Sequence, residues 1–351
     1  MEIFRARAPL RISFAGGGTD VNPFASMYGG FVLNATINKY AYTSIALNDN
    51  ESITVNSYDF DTTTEFCSST LKTDNNNDCF VRSVYKHLVS KPLGMEVITH
   101  NDAPPGSGLG SSSAMMVSII SAFKELENLV MSPYDIARLA HDIERQELQQ
   151  LGGMQDQYAA AFGGFNFMEF DGDSVLVNRL KMDPWVVREL EYNMILVYTQ
   201  KSRLSSNIIE DQISNVKSKK TDNIAAMHQI KQHANDMKRL LLKGRTNEFG
   251  ELLHEAWQQK KRMADSITNA HLDELYEAAR NAGAIGGKVS GAGGGGFMMF
   301  YCENNRKRQV VESLEKMGAR VESFKFELDG VEAWRNIRKE QLIRERLKVT
   351  A

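Results

Sequence analysis

Residues 95–126 constrain the chain most. A strand-like run, Met95 to Thr99, passes through Pro104-Pro105-Gly106-Ser107-Gly108-Leu109-Gly110-Ser111-Ser112-Ser113-Ala114 into a long apolar helix pattern. Glycines at three of five positions let backbone N–H groups turn toward a ligand without Cβ obstruction. The three serines then bring hydroxyls to where a helix leaves its first donors unpaired. The helix dipole adds positive charge there, worth ~0.3–1 kcal/mol to an anion, so a phosphate is the natural occupant. The plain alternative is an ordinary Gly-Ser loop with Ser111 as an N-cap. Against it, Ala114, Met115, Val117, Ser118, Ile119, Ala122, Phe123 and Leu126 continue as an unbroken buried helix that would hold the loop rigidly. No lysine follows the glycines, so this is not the G-x-x-x-x-G-K-[S/T] loop, and a nucleotide must be held differently.

A chain of 351 residues suits two intimately packed domains. The region Lys181–Arg188, with Pro184, is the expected junction, giving domains 1–188 and 189–351. With a formal net charge of −3 there is no global basic field for nucleic acid, and a small-molecule partner is expected instead. Three cysteines without a C-x-x-C pair, and no His cluster at ligand spacing, indicate neither a disulfide framework nor a zinc site. The N-terminal residues lack a signal-peptide core, and no run of ~18 apolar residues spans a bilayer. A cytoplasmic location and no membrane partner are therefore expected.

Ala8–Ala15 reads as a strand ending in the turn Gly16-Gly17-Gly18-Thr19-Asp20. Locally, Arg11 is either a surface strand residue or a site cation, and Asp20 either a turn residue or a ligand contact. The glycines at 16–18 are expected to remove bulk beside Asp20 and leave room for a larger ligand. Strands are expected at 31–47, 52–58 and 62–66, with a helix at 78–89. A second helix starts at Ser132-Pro133, with Ile136, Leu139, Ala140 and Ile143 on one face. Glu144 and Glu147 near its end both fit solvated helix charges, Glu147 the better of the two. Asp156 follows Gly152-Gly153 and opens an alanine-rich helix, either as a charge facing the helix dipole or as a catalytic carboxylate on a rigid support.

A strand is expected at 193–198 and mainly helix from 205 to 280, where Phe249, Leu252, Leu253, Ala256 and Trp257 share a face. The loop Lys201–Ser206, carrying Arg203, either meets an anionic substrate group or is a plain connection. Gly286 to Gly296 holds seven glycines in eleven residues and runs straight into apolar Phe297–Tyr301. Its G-x-G-x-x-G match does not fit a Rossmann site, because a strand follows it and not a helix. A second backbone surface against phosphate or substrate, including Gly291, Ala292 and Gly293, explains it better than a linker. Beyond it, 306–318 reads as helix, 320–326 as strand and 334–348 as a terminal helix.

Taken together, Ala8-Pro9-Leu10-Arg11, the Pro-Pro-Gly-Ser-Gly-Leu-Gly-Ser-Ser-Ser-Ala stretch and Lys288-Val-Ser-Gly-Ala-Gly-Gly-Gly-Gly resemble, in order, the three motifs of the GHMP family of small-molecule kinases. The resemblance implies an α/β (α+β) fold, an S5-like N-terminal domain followed by a ferredoxin-like one, with the site between them. It implies ATP phosphates on Pro105, Gly106, Ser107, Gly108, Leu109, Gly110, Ser111, Ser112 and Ser113, and Mg²⁺ on Glu144 and one of the loop serines, Ser112 being taken ahead of Ser111 and Ser113. Asp156 is implied as the base and Arg11 as the cation at the transferred phosphate. Gly17, Gly18, Thr19 and Asp20 would contact the sugar. Gly16-Gly17-Gly18 stands where galactokinases carry Gly-Glu-His, which argues against galactose. Gly-Gly-Gly-Thr-Asp and Gly-Gly-Met-Gln-Asp-Gln-Tyr resemble the family's bacterial heptose 7-phosphate kinases, with fucokinase-like enzymes next. The implied partners are ATP and a sugar phosphate. A non-catalytic sugar and ATP sensor is the rival, and the intact acidic pair Glu144 and Asp156 speaks against it.

Overall fold

The structure is a computed structural model that describes residues 2–71, 79–201 and 205–336. The chain opens with β1 (Ile3–Ala15), a short α1 (Phe24–Tyr28), β2 (Gly30–Leu47), β3 (Ser52–Ser57) and β4 (Thr62–Cys67). Then come α2 (Cys79–Leu88), β5 (Met95–Asn101), α3 (Ser111–Leu126) and α4 (Pro133–Asp142), which runs into a π-helical turn at Ile143–Glu147. After α5 (Gln155–Phe162), β6 (Phe165–Asp171) and β7 (Ser174–Arg179) form a hairpin that the sequence reading did not anticipate. α6 (Pro184–Asn193) occupies the expected junction, with Pro184 at its first turn, where the missing N–H costs nothing.

In the second half, β8 (Met194–Tyr198) is followed by α7 (Ser205–Lys217), α8 (Thr221–Leu242), α9 (Thr246–Lys261) and α10 (Ala270–Asn281). β9 (Ala284–Val289), β10 (Phe297–Cys302), α11 (Asn304–Lys316), β11 (Arg320–Glu322) and β12 (Glu332–Asn336) complete the chain. Gly286 and Gly287, expected in a loop, lie inside β9, and the strand expected at 320–326 ends at Glu322.

The strands form two sheets. The first has eight strands, β12-β1-β2-β5-β3-β4 with β6 and β7 joined through β2. β2 is long enough to serve two partners: its Gly30–Ala35 end pairs with β6 and its Ala41–Leu47 end with β5. The second sheet runs β11-β8-β10-β9, all pairs antiparallel, the ferredoxin-like order expected of the second domain. The family's two-sheet α/β architecture is thus present.

The segment 189–351 is not confined to the second sheet. Phe326 bridges to Ile37, and β12 returns to pair with β1, Ile3 opposite Asn336 and Arg7 opposite Glu332. Trp334–Asn336, expected in a terminal helix, are therefore strand, because β1 offers an open row of backbone partners. The remainder of that expected helix, 337–348, lies outside the described residues. One core runs through both halves: Phe14 of β1 meets Phe249 of α9 edge-on at 5.2 Å. No helix among the described residues is long and apolar enough to cross a membrane.

Candidate active site

The loop between β5 and α3 has Gly106, Gly108 and Gly110 at φ of 72°, 75° and 74°, a region closed to most side chains. Gly110 precedes α3 without a side-chain cap, so the first helical turn offers its N–H groups to the adjoining cleft. Ser111 and Ser112 line that cleft and also a second cavity beside it, which Pro105 and Gly106 border. Ser107 and Leu109, expected on the phosphates, are fully buried and anchor the loop instead. Phe297 N–H donates to the Ser107 carbonyl at 2.9 Å, and Arg11 N–H to that of Leu109 at 3.0 Å. The third glycine motif locks against this loop. A Cβ at Gly108 would sit 2.6 Å from the Ser290 carbonyl oxygen, and one at Gly291 would sit 2.8 Å from that of Gly108. Gly291, Ala292 and Gly293 line the cleft opposite α3.

Arg11, on β1, and Asp156, at the start of α5, meet here. The guanidinium donates Nε to Oδ1 and NH2 to Oδ2, both at 2.8 Å, and NH1 to the Gly108 carbonyl at 2.6 Å. This fork-to-carboxylate geometry fixes both groups beside the glycine loop. Asp156 keeps about a quarter of its side chain exposed, whereas Arg11 is almost wholly covered.

Asp20 closes one end of the cleft. It accepts from Gly18 N–H at 2.9 Å and from Gln155, through backbone N–H at 3.1 Å and side-chain amide at 3.2 Å. Gly17 and Gly18 line the cleft with it. Thr19, expected against substrate, is fully buried and donates its hydroxyl to the carbonyls of Gly16 at 2.8 Å and Phe31 at 3.0 Å. The turn glycines at 16 and 18 answer to the protein's own neighbours. A Cβ at Gly16 would fall 1.8 Å from the Phe31 carbonyl, and one at Gly18 would fall 2.5 Å from the Met263 methyl. A Cβ at Gly17 would meet Gln155 and Ser13 at an ordinary 3.4 Å.

Glu144 sits in the π-helical turn, a geometry that re-aims one side chain off the helical repeat. It is 1% exposed and accepts from Ser113 Oγ at 2.9 and 3.1 Å and from the Gln157 amide. Burial pushes its carboxyl above the ordinary range, opposed by the Arg145 charge and by these hydrogen bonds. Ser113 thus holds Glu144, while the hydroxyl of the more exposed Ser112 is free to face the cleft. A buried carboxylate on a cleft wall, next to a serine and a phosphate-type loop, fits Mg²⁺, which takes one or two carboxylates plus substrate phosphates. Among the described residues no three His, Cys, Asp or Glu side chains gather for a metal. Glu147 is a surface group paired with His87 at 3.0 Å, as its solvated reading expected. Arg203 lies outside the described residues. The adjoining Lys201 carbonyl accepts from Gly296 N–H at 2.7 Å, so that loop starts beside the third glycine motif.

Two buried lysines lie near the cleft, and of them Lys260 lines it. Lys288 donates to the Ser13 carbonyl at 2.5 Å, and Lys260, at the end of α9, donates to that of Gly17 at 2.8 Å. Both are 3% exposed. Burial lowers the Lys260 ammonium to about 8 and Lys288 well below its ordinary value. The sequence reading passed over Lys260. Its signal was positional: Phe249, Leu253, Ala256 and Trp257 define a buried stripe, and Lys260 is the charged residue that continues it.

The residues from β1, α3, α5, α7, α9 and the glycine loops enclose a cavity of about 210 Å³, adjoined by the second of about 490 Å³. Residues 79–164 match the GHMP kinase N-terminal domain and residues 237–320 the GHMP kinase C-terminal domain. A D-glycero-alpha-D-manno-heptose 7-phosphate kinase of Campylobacter jejuni is 39% identical over 341 residues, covering 95% of this chain and all of that one. The crystal structure of a D-glycero-D-manno-heptose 1-phosphate kinase from Bacteriodes thetaiotaomicron aligns with a TM-score of 0.81 at 41% identity, covering 96% of this chain and 100% of that one. Lactococcus lactis galactokinase, crystallised with galactose, shares the fold at a TM-score of 0.75 and 18% identity over 94% of this chain and 95% of its own. The same scaffold therefore serves other sugars, and the fold alone does not choose among them. Full-length likeness and a cleft assembled from three glycine-rich motifs agree, and this chain belongs to the GHMP kinase family.

Proposed function

We propose that the chain transfers the γ-phosphate of ATP to the anomeric hydroxyl of D-glycero-D-manno-heptose 7-phosphate, in the cytoplasm, yielding the 1,7-bisphosphate for nucleotide-activated heptose. Likeness over nearly the whole chain to heptose phosphate kinases supports the substrate. The Arg11–Asp156 pair beside the glycine loop is the observation that carries the chemistry. In phosphoryl transfer the protein mainly positions groups and stabilises charge. In this reading Gly106, Gly108 and the turn from Gly110 to Ser113 cradle the phosphates through backbone N–H groups, and the nucleoside lies in the larger cavity between apolar Phe60, Phe80, Met115 and Ile119. Asp156 orients the acceptor hydroxyl and takes its proton as the O1–P bond forms and the bond from Pγ to the ADP oxygen breaks. Arg11 holds Asp156 in place and sets positive charge beside the transferred group. Ser112 and Glu144 are the residues to hold Mg²⁺, which when bound offsets phosphate charge. Gly17, Gly18 and Asp20, facing Gly291–Gly293, form the sugar end.

ADP release with Mg·ATP tests this against heptose 7-phosphate, unphosphorylated heptose, fucose and galactose. Heptose 7-phosphate is expected to give the highest kcat/KM. Preference for fucose or another unphosphorylated sugar overturns the substrate and leaves a sugar 1-kinase; no ADP release with any sugar would leave a sensor.

A further inference from the structure

The sugar end of the cleft holds two side chains with no part in the chemistry above, Gln212 of α7 and Lys260 of α9. Both line the cavity beside Gly17, Gly18 and Asp20. Gln212 is 3% exposed, and its amide nitrogen is buried with no hydrogen-bond partner. An unpaired buried donor is costly, and where it borders a cavity it is best explained by an acceptor that arrives from outside. Lys260 has one acceptor, the Gly17 carbonyl, for three N–H bonds. Asp20, the nearby carboxylate, already receives Gly18 and Gln155.

Charge points the same way. Arg11 is matched by Asp156. The charged groups that act on Lys260 are Asp20, which favours its charged form, and Arg11, which opposes it. A buried ammonium with N–H bonds to spare, beside an unpaired amide on the same cavity wall, suits an anionic oxygen better than a hydroxyl, which needs an acceptor as well as a donor. The burial that depresses Lys260 is relieved when an anion binds and the ammonium is held charged.

We propose that Lys260 and Gln212 are the subsite for the phosphate that the acceptor sugar already carries, and that they set the preference for a phosphorylated sugar. This rests on the heptose 7-phosphate reading above. It also places that phosphate against α7 and α9, on the Asp20 side of the cleft.

The test is the ratio of kcat/KM for heptose 7-phosphate to that for unphosphorylated heptose in wild type, Lys260→Met, Lys260→Arg and Gln212→Leu. For Lys260→Met, KM for heptose 7-phosphate should rise roughly 10- to 100-fold, the size of one charge-assisted hydrogen bond, with KM for ATP unmoved and the ratio collapsing. Lys260→Arg should recover part of the ratio, and Gln212→Leu should lower it several-fold. If wild type prefers the phosphorylated sugar and both Lys260→Met and Gln212→Leu keep that ratio, this subsite is wrong while the substrate stands. If KM for ATP moves instead, the lysine belongs to the nucleotide. If wild type shows no preference, the substrate and the subsite fall together.

Discussion

Replacing Lys260 by methionine is expected to stabilise the protein while weakening it as an enzyme. Burial has moved this ammonium from 10.5 to about 8, a penalty of about 3 kcal/mol on the folded state at neutral pH. Methionine fits the same volume without that penalty, and forfeits a charge-assisted hydrogen bond to the Gly17 carbonyl worth about 1.5–3 kcal/mol. The net gain is at most about 1.5 kcal/mol. Across 351 residues that is roughly 2 °C in Tm. The pH dependence follows from the same shift. Below about 8 the lysine is charged in both folded and unfolded chains and the penalty is complete; between 8 and 10.5 only the unfolded chain holds the extra proton, so wild type gains stability as pH rises. The advantage of the variant should therefore be largest at pH 7 and shrink toward pH 10.5. Thermal unfolding followed by circular dichroism at pH 7 and 10 reads it. A variant less stable than wild type at pH 7, or a gap that does not close with pH, would refute the reasoning.

Asp156→Asn should lower single-turnover transfer roughly 10²- to 10⁴-fold with ATP affinity nearly intact, measured by quench flow and equilibrium binding. Glu144→Gln and Ser112→Ala should each raise the Mg²⁺ concentration needed for half-maximal rate, whereas Ser113→Ala should do so more weakly because it acts through Glu144. By contrast, Glu147→Gln should stay within about 0.5 kcal/mol of wild-type stability in urea, as expected for a surface pair. Gly108→Val should depress both stability and turnover, because its Cβ would meet the Ser290 carbonyl at 2.6 Å.

The glycine-serine loop and its flanking strand and helix were legible because each depends on neighbours in sequence. Periodicity, caps and φ requirements are local properties. Arg11 and Asp156 stayed ambiguous when read singly, since the pairing that gives them a role spans 145 positions. The resemblance to a known family, and not spacing, joined them. Gly16 and Gly18 were open to misreading for a related reason: a glycine signals that something comes close, and only the fold shows that it is Phe31 and Met263. Lys260 hid among the charges at the end of α9, where a lysine is usually solvated. β12 was read as helix because its charges suit a solvated tail, and only β1 supplies the partner that makes it a strand.

That returning strand also governs how the molecule behaves toward its own copies. β12 occupies the border of an eight-stranded sheet and is a good border strand: short, mostly exposed, and carrying Glu332 and Arg335. Arg7 pairs with Glu332 at 2.7 Å, and Arg335 with Glu2, so the strip is fastened by charge as well as by its ladder. Cut away, it would uncover the stretch Ile3–Arg7, in which Phe4 and Ala6 are buried. The sheet would then end in a strand with a row of vacant amides and with Phe4 and Ala6 near its open edge, an invitation to a second chain. A protein shortened before Val331 is therefore expected to self-associate, with its catalytic parts untouched.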